Sequence, residues 1–183
     1  MIGLFGGAFD PPHIGHVALV RAAKESLGLE HVIVIVVAEP GHKHVQTPAA
    51  VRLELARAAF PDDEVILDEH ARTVDMLRVH PEWRDAIFLL GADEFAGFGA
   101  WKEPDEVLRL VQLGVAARRG HPVPPGDFGH VLFFDLDEPA TSREVRARLD
   151  RGEDVRDVIP AAVRGIIERD GLYGPRPSYT QSA

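Results

Sequence analysis

Gly6 to His16 reads GGAFDPPHIGH and follows the apolar run Met1-Ile2-Gly3-Leu4-Phe5. A buried strand that breaks at two glycines and restarts as a helix leaves backbone N–H groups aimed at one spot. That geometry takes anions, nucleotide phosphates above all. His13 and His16 stand three apart where loop becomes helix, so both can face the same anion. The bland alternative has one imidazole capping the helix and the other packing. A metal reading would use Asp10, His13 and His16, but no further carboxylate stands near them in sequence to complete the shell. Phosphate binding fits better, because imidazole N–H donors stabilise charge on phosphoryl oxygens. The stretch contains neither G-x-x-x-x-G-K-[ST] nor G-x-G-x-x-G, which weakens the Walker-type NTPase and dehydrogenase readings.

Outward from this loop, Val17, Val20, Ala23 and Leu27 recur at helical spacing. They predict a helix over Ile14 to Leu27, ended by Gly28. His31 to Ala38 is β-branched and apolar without alternation, the mark of a strand covered on both faces. Glu39 to Gln46 is a loop, and Thr47-Pro48 is an N-cap and first-position pair opening a helix through Phe60. Strands are expected at Glu64 to Asp68, Ala86 to Gly91, Leu113 to Ala117 and Val131 to Leu136. Helices are expected at Thr73 to Val79, Glu103 to Leu110, Thr141 to Asp150 and Pro160 to Asp170, with a loop from Gly91 to Trp101. Alternating strands and helices argue for an α/β fold, a Rossmann-like open parallel sheet with helices on both faces and a helical C-terminal segment. Residues 1–174 read as a single domain. The tail from Pro175 lacks core residues and reads as frayed, and Gly120 to Gly129 is the most flexible interior stretch.

Bulk properties narrow the function. The chain has no cysteine, which excludes thiol catalysis, Cys-ligated zinc and a disulfide framework. Its 29 acidic and 20 basic residues leave a net charge of -9, the wrong sign for a general nucleic-acid or anionic-membrane binder. A local cationic site can still hold ATP. No apolar run approaches a membrane span, and a strand starting at Met1 leaves no room for a cleavable signal, so the expected location is the cytoplasm. A homo-oligomer is left open.

GGAFDPPHIGH resembles the signature of the HxGH nucleotidyltransferases, and within them the bacterial nicotinate-nucleotide adenylyltransferases. Other stretches match that family in order. Pro40-Gly41-His42-Lys43 with Arg52 resembles its P-x-H-K loop and the arginine behind it. Thr73 to Leu77 (TVDML) resembles T-x-D-T-L, Leu90 to Asp93 with Trp101-Lys102 resembles LGAD…WK, and Thr141 to Arg146 (TSREVR) stands where the family has ISSTxxR. Ile159-Pro160 through Leu172-Tyr173 resembles its GLY ending.

The resemblance implies adenylyl transfer from ATP to the phosphate of nicotinic acid mononucleotide, giving deamido-NAD and pyrophosphate. His13, His16 and Arg146 would carry the catalysis. ATP would meet Gly6, Gly7, Ala8, Phe9, Lys43, Gly91, Thr141 and Ser142, with Asp93 on a ribose hydroxyl or else capping a helix. The mononucleotide would meet Asp10, Lys43, Arg72, Thr73 and Trp101, the indole stacking on the pyridine or else packing on the next helix. Mg²⁺ would travel with ATP rather than occupy an all-protein site.

Three departures stand out against the family pattern. Ala71-Arg72-Thr73 replaces Ser-Tyr-Thr, and Arg72 can pair with the nicotinate carboxylate or lie in solvent. Arg143 replaces a hydroxyl near the triphosphate, and Gly41 replaces the usual second proline. Nicotinamide mononucleotide as acceptor and a catalytically silent nucleotide-binding homologue are the alternatives.

Overall fold

The alternation in β2 shows how the sheet is covered. Val32, Val34 and Val36 point to one face and Ile33 and Ile35 to the other, and all five are buried. A strand so populated needs helices on both sides. The computed structural model describes residues 1–41, 44–118, 129–136 and 140–174. Within it, β1 (Ile2–Gly7), β2 (His31–Val37), β3 (Glu64–Asp68), β4 (Ile87–Gly91), β5 (Gln112–Arg118) and β6 (Val131–Leu136) form one all-parallel sheet ordered β3-β2-β1-β4-β5-β6.

Helices α1 (Ile14–Leu27), α2 (Ala49–Ala59), α6 (Ser142–Asp150) and α7 (Ala161–Asp170) supply Leu19, Leu55, Val145 and Val163 to one core. On the opposite face, α3 (Thr73–Val79) and α5 (Pro104–Leu110) cover Leu4, Phe88 and Leu113 with Met76, Leu77 and Val107. Among the described residues, no helix is long and apolar enough to cross a membrane.

The elements fall within a residue or two of expectation, with three corrections. Pro48, not Thr47, is the N-cap of α2, because the Thr47 hydroxyl is engaged elsewhere. Glu103 is an N-cap in left-handed conformation (φ 50°), so α5 begins at Pro104. The expected loop between Gly91 and Trp101 contains a short helix, α4 (Ala92–Ala96), and a single 3-10 turn at Phe98–Ala100. Gly28 does end α1 in the left-handed region, at φ 64°. The tail from Pro175, and Gly120 to Gly129 apart from its last residue, lie outside the described residues.

Candidate active site

Strand order reverses between β1 and β4, and open α/β sheets bind ligands beyond the carboxyl ends of strands at such a point. A two-lobed crevice opens there. One lobe, of about 570 Å³, is walled by the loop after β1 and the first turns of α1 and α6, with His13, His16, Ser142, Arg143 and Arg146 facing it. The other, of about 680 Å³, runs toward β3 and α3 past Asp68, His70, Arg72, Thr73 and Trp101. Gly6, Gly7, Ala8, Asp93 and Glu94 border both lobes. They form the partition between the two.

The two imidazoles are brought together as a pair. His13 ends the loop in extended conformation and its ring lies over that of His16, with centroids 3.7 Å apart. The His13 backbone N–H donates to His16 Nδ1 at 3.1 Å. A ring nitrogen that accepts carries no proton, so the N–H of this imidazole is on Nε2. Phe9 packs edge-on against the His16 ring at 5.1 Å, which holds its plane. Gly15 lets this corner close tightly. A Cβ there would come 3.0 Å from the His13 ring and 3.2 Å from the Ala140 carbonyl oxygen, so both neighbours would have to give by a few tenths of an ångström.

Behind the loop lies a buried polar cluster. The Asp10 carboxylate, 2% exposed, accepts from the Gln46 backbone N–H at 2.6 Å, the Thr47 hydroxyl at 2.7 Å and the Tyr173 phenol at 2.6 Å. Arg52 is fully buried and donates to four backbone carbonyls: Ala8 and Val37 at 2.8 Å, Ala38 at 2.6 Å and Thr47 at 3.2 Å. Burial pulls the guanidinium pKa below its ordinary value, and the Asp10 charge opposes that shift. Burial, reinforced by the bond to Asp10, pushes the Tyr173 phenol upward, so it serves as a neutral donor. Asp10 is among the residues at the lobe of His13 and Arg146. Its carboxylate does not border the lobe that Thr73 and Trp101 line, and its two oxygens are committed to protein donors.

The amino end of α6 is tied to the same loop. The Ser142 hydroxyl donates to the Pro11 carbonyl at 3.0 Å, and Arg146 Nη1 donates to the Asp10 carbonyl. Thr141 is the N-cap, its hydroxyl accepting from the Glu144 N–H at 3.2 Å. Asp93 is not a cap, since Gly91 holds that position of α4. Trp101 is half-buried, edge-on to Phe88 at 6.1 Å and tilted against Phe98 at 5.2 Å, so it packs and borders the lobe at once. Lys43 lies outside the described residues.

Sequence reasoning missed Glu94 on the partition and a pair in the larger lobe, where His70 Nδ1 meets the buried Asp68 carboxylate at 2.7 Å. Asp68 closes β3, and the strand-end rule would have found it.

The cytidylyltransferase-like family profile matches residues 4–148. A probable nicotinate-nucleotide adenylyltransferase of Thermus thermophilus is 35% identical, over 94% of this chain and 98% of its own. One from Exiguobacterium sibiricum shows the same identity and coverage. Among solved structures, the nicotinic acid mononucleotide adenylyltransferase of Plasmodium falciparum complexed with NaAD superposes with a TM-score of 0.74. It is 18% identical, and the match covers 94% of this chain and 96% of that one.

Arg52→Met should destabilise the fold by about 3–5 kcal/mol in urea denaturation, because it strips the donors from four backbone carbonyls around a fully buried side chain. A loss below about 1 kcal/mol, the net worth of one ordinary hydrogen bond, would contradict this account of the cluster.

Proposed function

The chain belongs to the cytidylyltransferase-like family and, within it, to the nicotinate-nucleotide adenylyltransferases, and on that footing we propose that it transfers the adenylyl group of ATP to nicotinic acid mononucleotide. The products are deamido-NAD and pyrophosphate. One observation carries this reading: the two lobes share a glycine-lined partition at the ends of β1 and β4. Two nucleotides seated in them would meet phosphate to phosphate at that wall.

A phosphate oxygen of the mononucleotide attacks the α-phosphorus of ATP, the bond from the α-phosphorus to the bridging oxygen breaks, and pyrophosphate leaves with its electron pair. No protein nucleophile is needed; alignment and charge stabilisation suffice. His16 offers Nε2–H to the phosphoryl oxygens, and His13, stacked on it, holds the ring in place. Backbone N–H groups of Gly7 to Phe9 receive the nucleotide. Ser142, Arg143 and Arg146 at the start of α6 take the β- and γ-phosphates, where the helix dipole also favours anions. Asp93 accepts from a ribose hydroxyl, and Trp101 stacks on the pyridine. ATP enters as its Mg²⁺ complex, the ion carried by the phosphates. Among the described residues, no cluster of three or more His, Asp or Glu side chains is arranged to hold a metal. The cytoplasm is the proposed location, in keeping with the absence of a membrane-crossing helix among the described residues.

Pyrophosphate release from ATP, with each pyridine mononucleotide offered separately, tests the assignment. The nicotinic acid compound should be the better acceptor, and release with neither would overturn the reading. His16→Ala should lower kcat by at least ~100-fold, the scale of removing one preorganised donor from developing charge; unchanged turnover would remove His16 from its role. Trp101→Ala should raise KM for the mononucleotide about tenfold, the worth of an aromatic pair, and leave KM for ATP near the parent value. A loss confined to ATP would contradict that placement.

A further inference from the structure

Arg72 stands at the N-cap of α3, exposed on the wall of the larger lobe. Among the described residues it has no acidic partner within 4 Å, although the chain holds 29 acidic side chains against 20 basic ones. Its one described hydrogen bond, to the Ala71 carbonyl, is 3.4 Å long, at the outer limit of such a bond. Two acids near the lobe are already engaged, Asp68 with His70 at 2.7 Å and Asp75 with Lys102 at 2.7 Å. The guanidinium is thus left available to a ligand.

Gly41 faces it from the loop after β2. The backbone at Gly41 is outside the left-handed region, so no turn demands a glycine there. What the missing side chain leaves is room. A Cβ would sit 3.3 Å from Arg72 Nη1 and 4.0 Å from Cζ and Nη2, so any side chain would displace the flexible guanidinium rather than the backbone. The two departures from the family pattern at positions 41 and 72 therefore meet in space.

Building on the acceptor assignment above, we propose that Arg72 reads the ring carboxylate of the mononucleotide and that Gly41 leaves the guanidinium the space to do so. The acceptor carries two anions. Its phosphate must lie at the partition, beside the α-phosphorus of ATP. Arg72 borders the larger lobe only, away from the triphosphate lobe, so it meets the ring end. A guanidinium pairs with a carboxylate through two parallel N–H···O bonds. A carboxamide offers one acceptor and turns its NH₂ donors toward the same fork, which makes Arg72 a specificity-determining residue.

The test measures kcat/KM for both mononucleotides, at saturating ATP, in the parent, Arg72→Gln, Gly41→Pro and the double variant. Arg72→Gln should cut the preference for nicotinic acid mononucleotide by about 10–100-fold, the scale of losing a charged hydrogen-bond partner. The change should appear in KM for that acceptor, with Arg72→Lys restoring part of it. Gly41→Pro should lower the preference in the parent and change it no further in Arg72→Gln, since coupled residues are non-additive. A preference that Arg72→Gln leaves unmoved overturns the role of Arg72. Simple addition of the two effects overturns that of Gly41. Equal use of both acceptors by the parent overturns the proposal as a whole, whereas transfer to neither overturns the adenylyltransfer reading on which it rests.

Discussion

A guanidinium with no access to water sets the shape of this molecule's binding end. Arg52 projects from α2 and gathers carbonyls from the loop after β1, the end of β2 and the approach to α2. Isolated in an apolar interior such a charge would be prohibitively costly. Four carbonyl acceptors and the nearby Asp10 carboxylate offset that cost, and each is satisfied only if the loops stay where they are. Asp10 extends the constraint outward. Through Tyr173 it fastens the end of the described chain beneath the first loop, and its own carbonyl receives Arg146 from α6. The crevice-facing side of the first loop is therefore assembled from behind, by Arg52, Asp10 and Tyr173.

The division of the crevice follows from topology. With strand order β3-β2-β1-β4-β5-β6, the crossover from β1 runs outward to β2 on one side, while that from β4 runs outward to β5 on the other. The loops diverge above the β1/β4 boundary, and glycines at the end of β1 keep the wall between the lobes thin. Arg143 and Arg146 at the start of α6 give one lobe a cationic lining, and the two histidines add N–H donors. The aromatic and apolar side chains of Phe88, Met76 and Trp101 give the other a surface suited to a planar ring. The chemistry assigned to each lobe follows from that contrast.

Much of this was legible in the residues. Unbroken apolar strands announced a parallel sheet, and the glycine-rich turn between β1 and α1 announced a wall of the crevice, because both signals are local. What escaped depended on long-range contact. Thr47 has the form of a helix cap, yet its hydroxyl bonds Asp10 and lies 3.1 Å from the Tyr173 hydroxyl. Asp10 looked like a ligand group because nothing in its neighbourhood reveals that donors 36, 37 and 163 positions away would claim it. The meeting of Gly41 with Arg72 was equally hidden, since each departure is neutral until the fold sets them face to face.

The central claim is that the loop after β1, fastened from behind, presents His16 Nε2–H to a triphosphate whose outer part leaves. A crystal structure with a non-hydrolysable ATP analogue tests it most directly. The account predicts phosphoryl oxygens within hydrogen-bonding distance of His16 Nε2, with the terminal phosphates at the amino end of α6. A triphosphate lying in the lobe beside Trp101, with both imidazoles turned from it, would contradict the account.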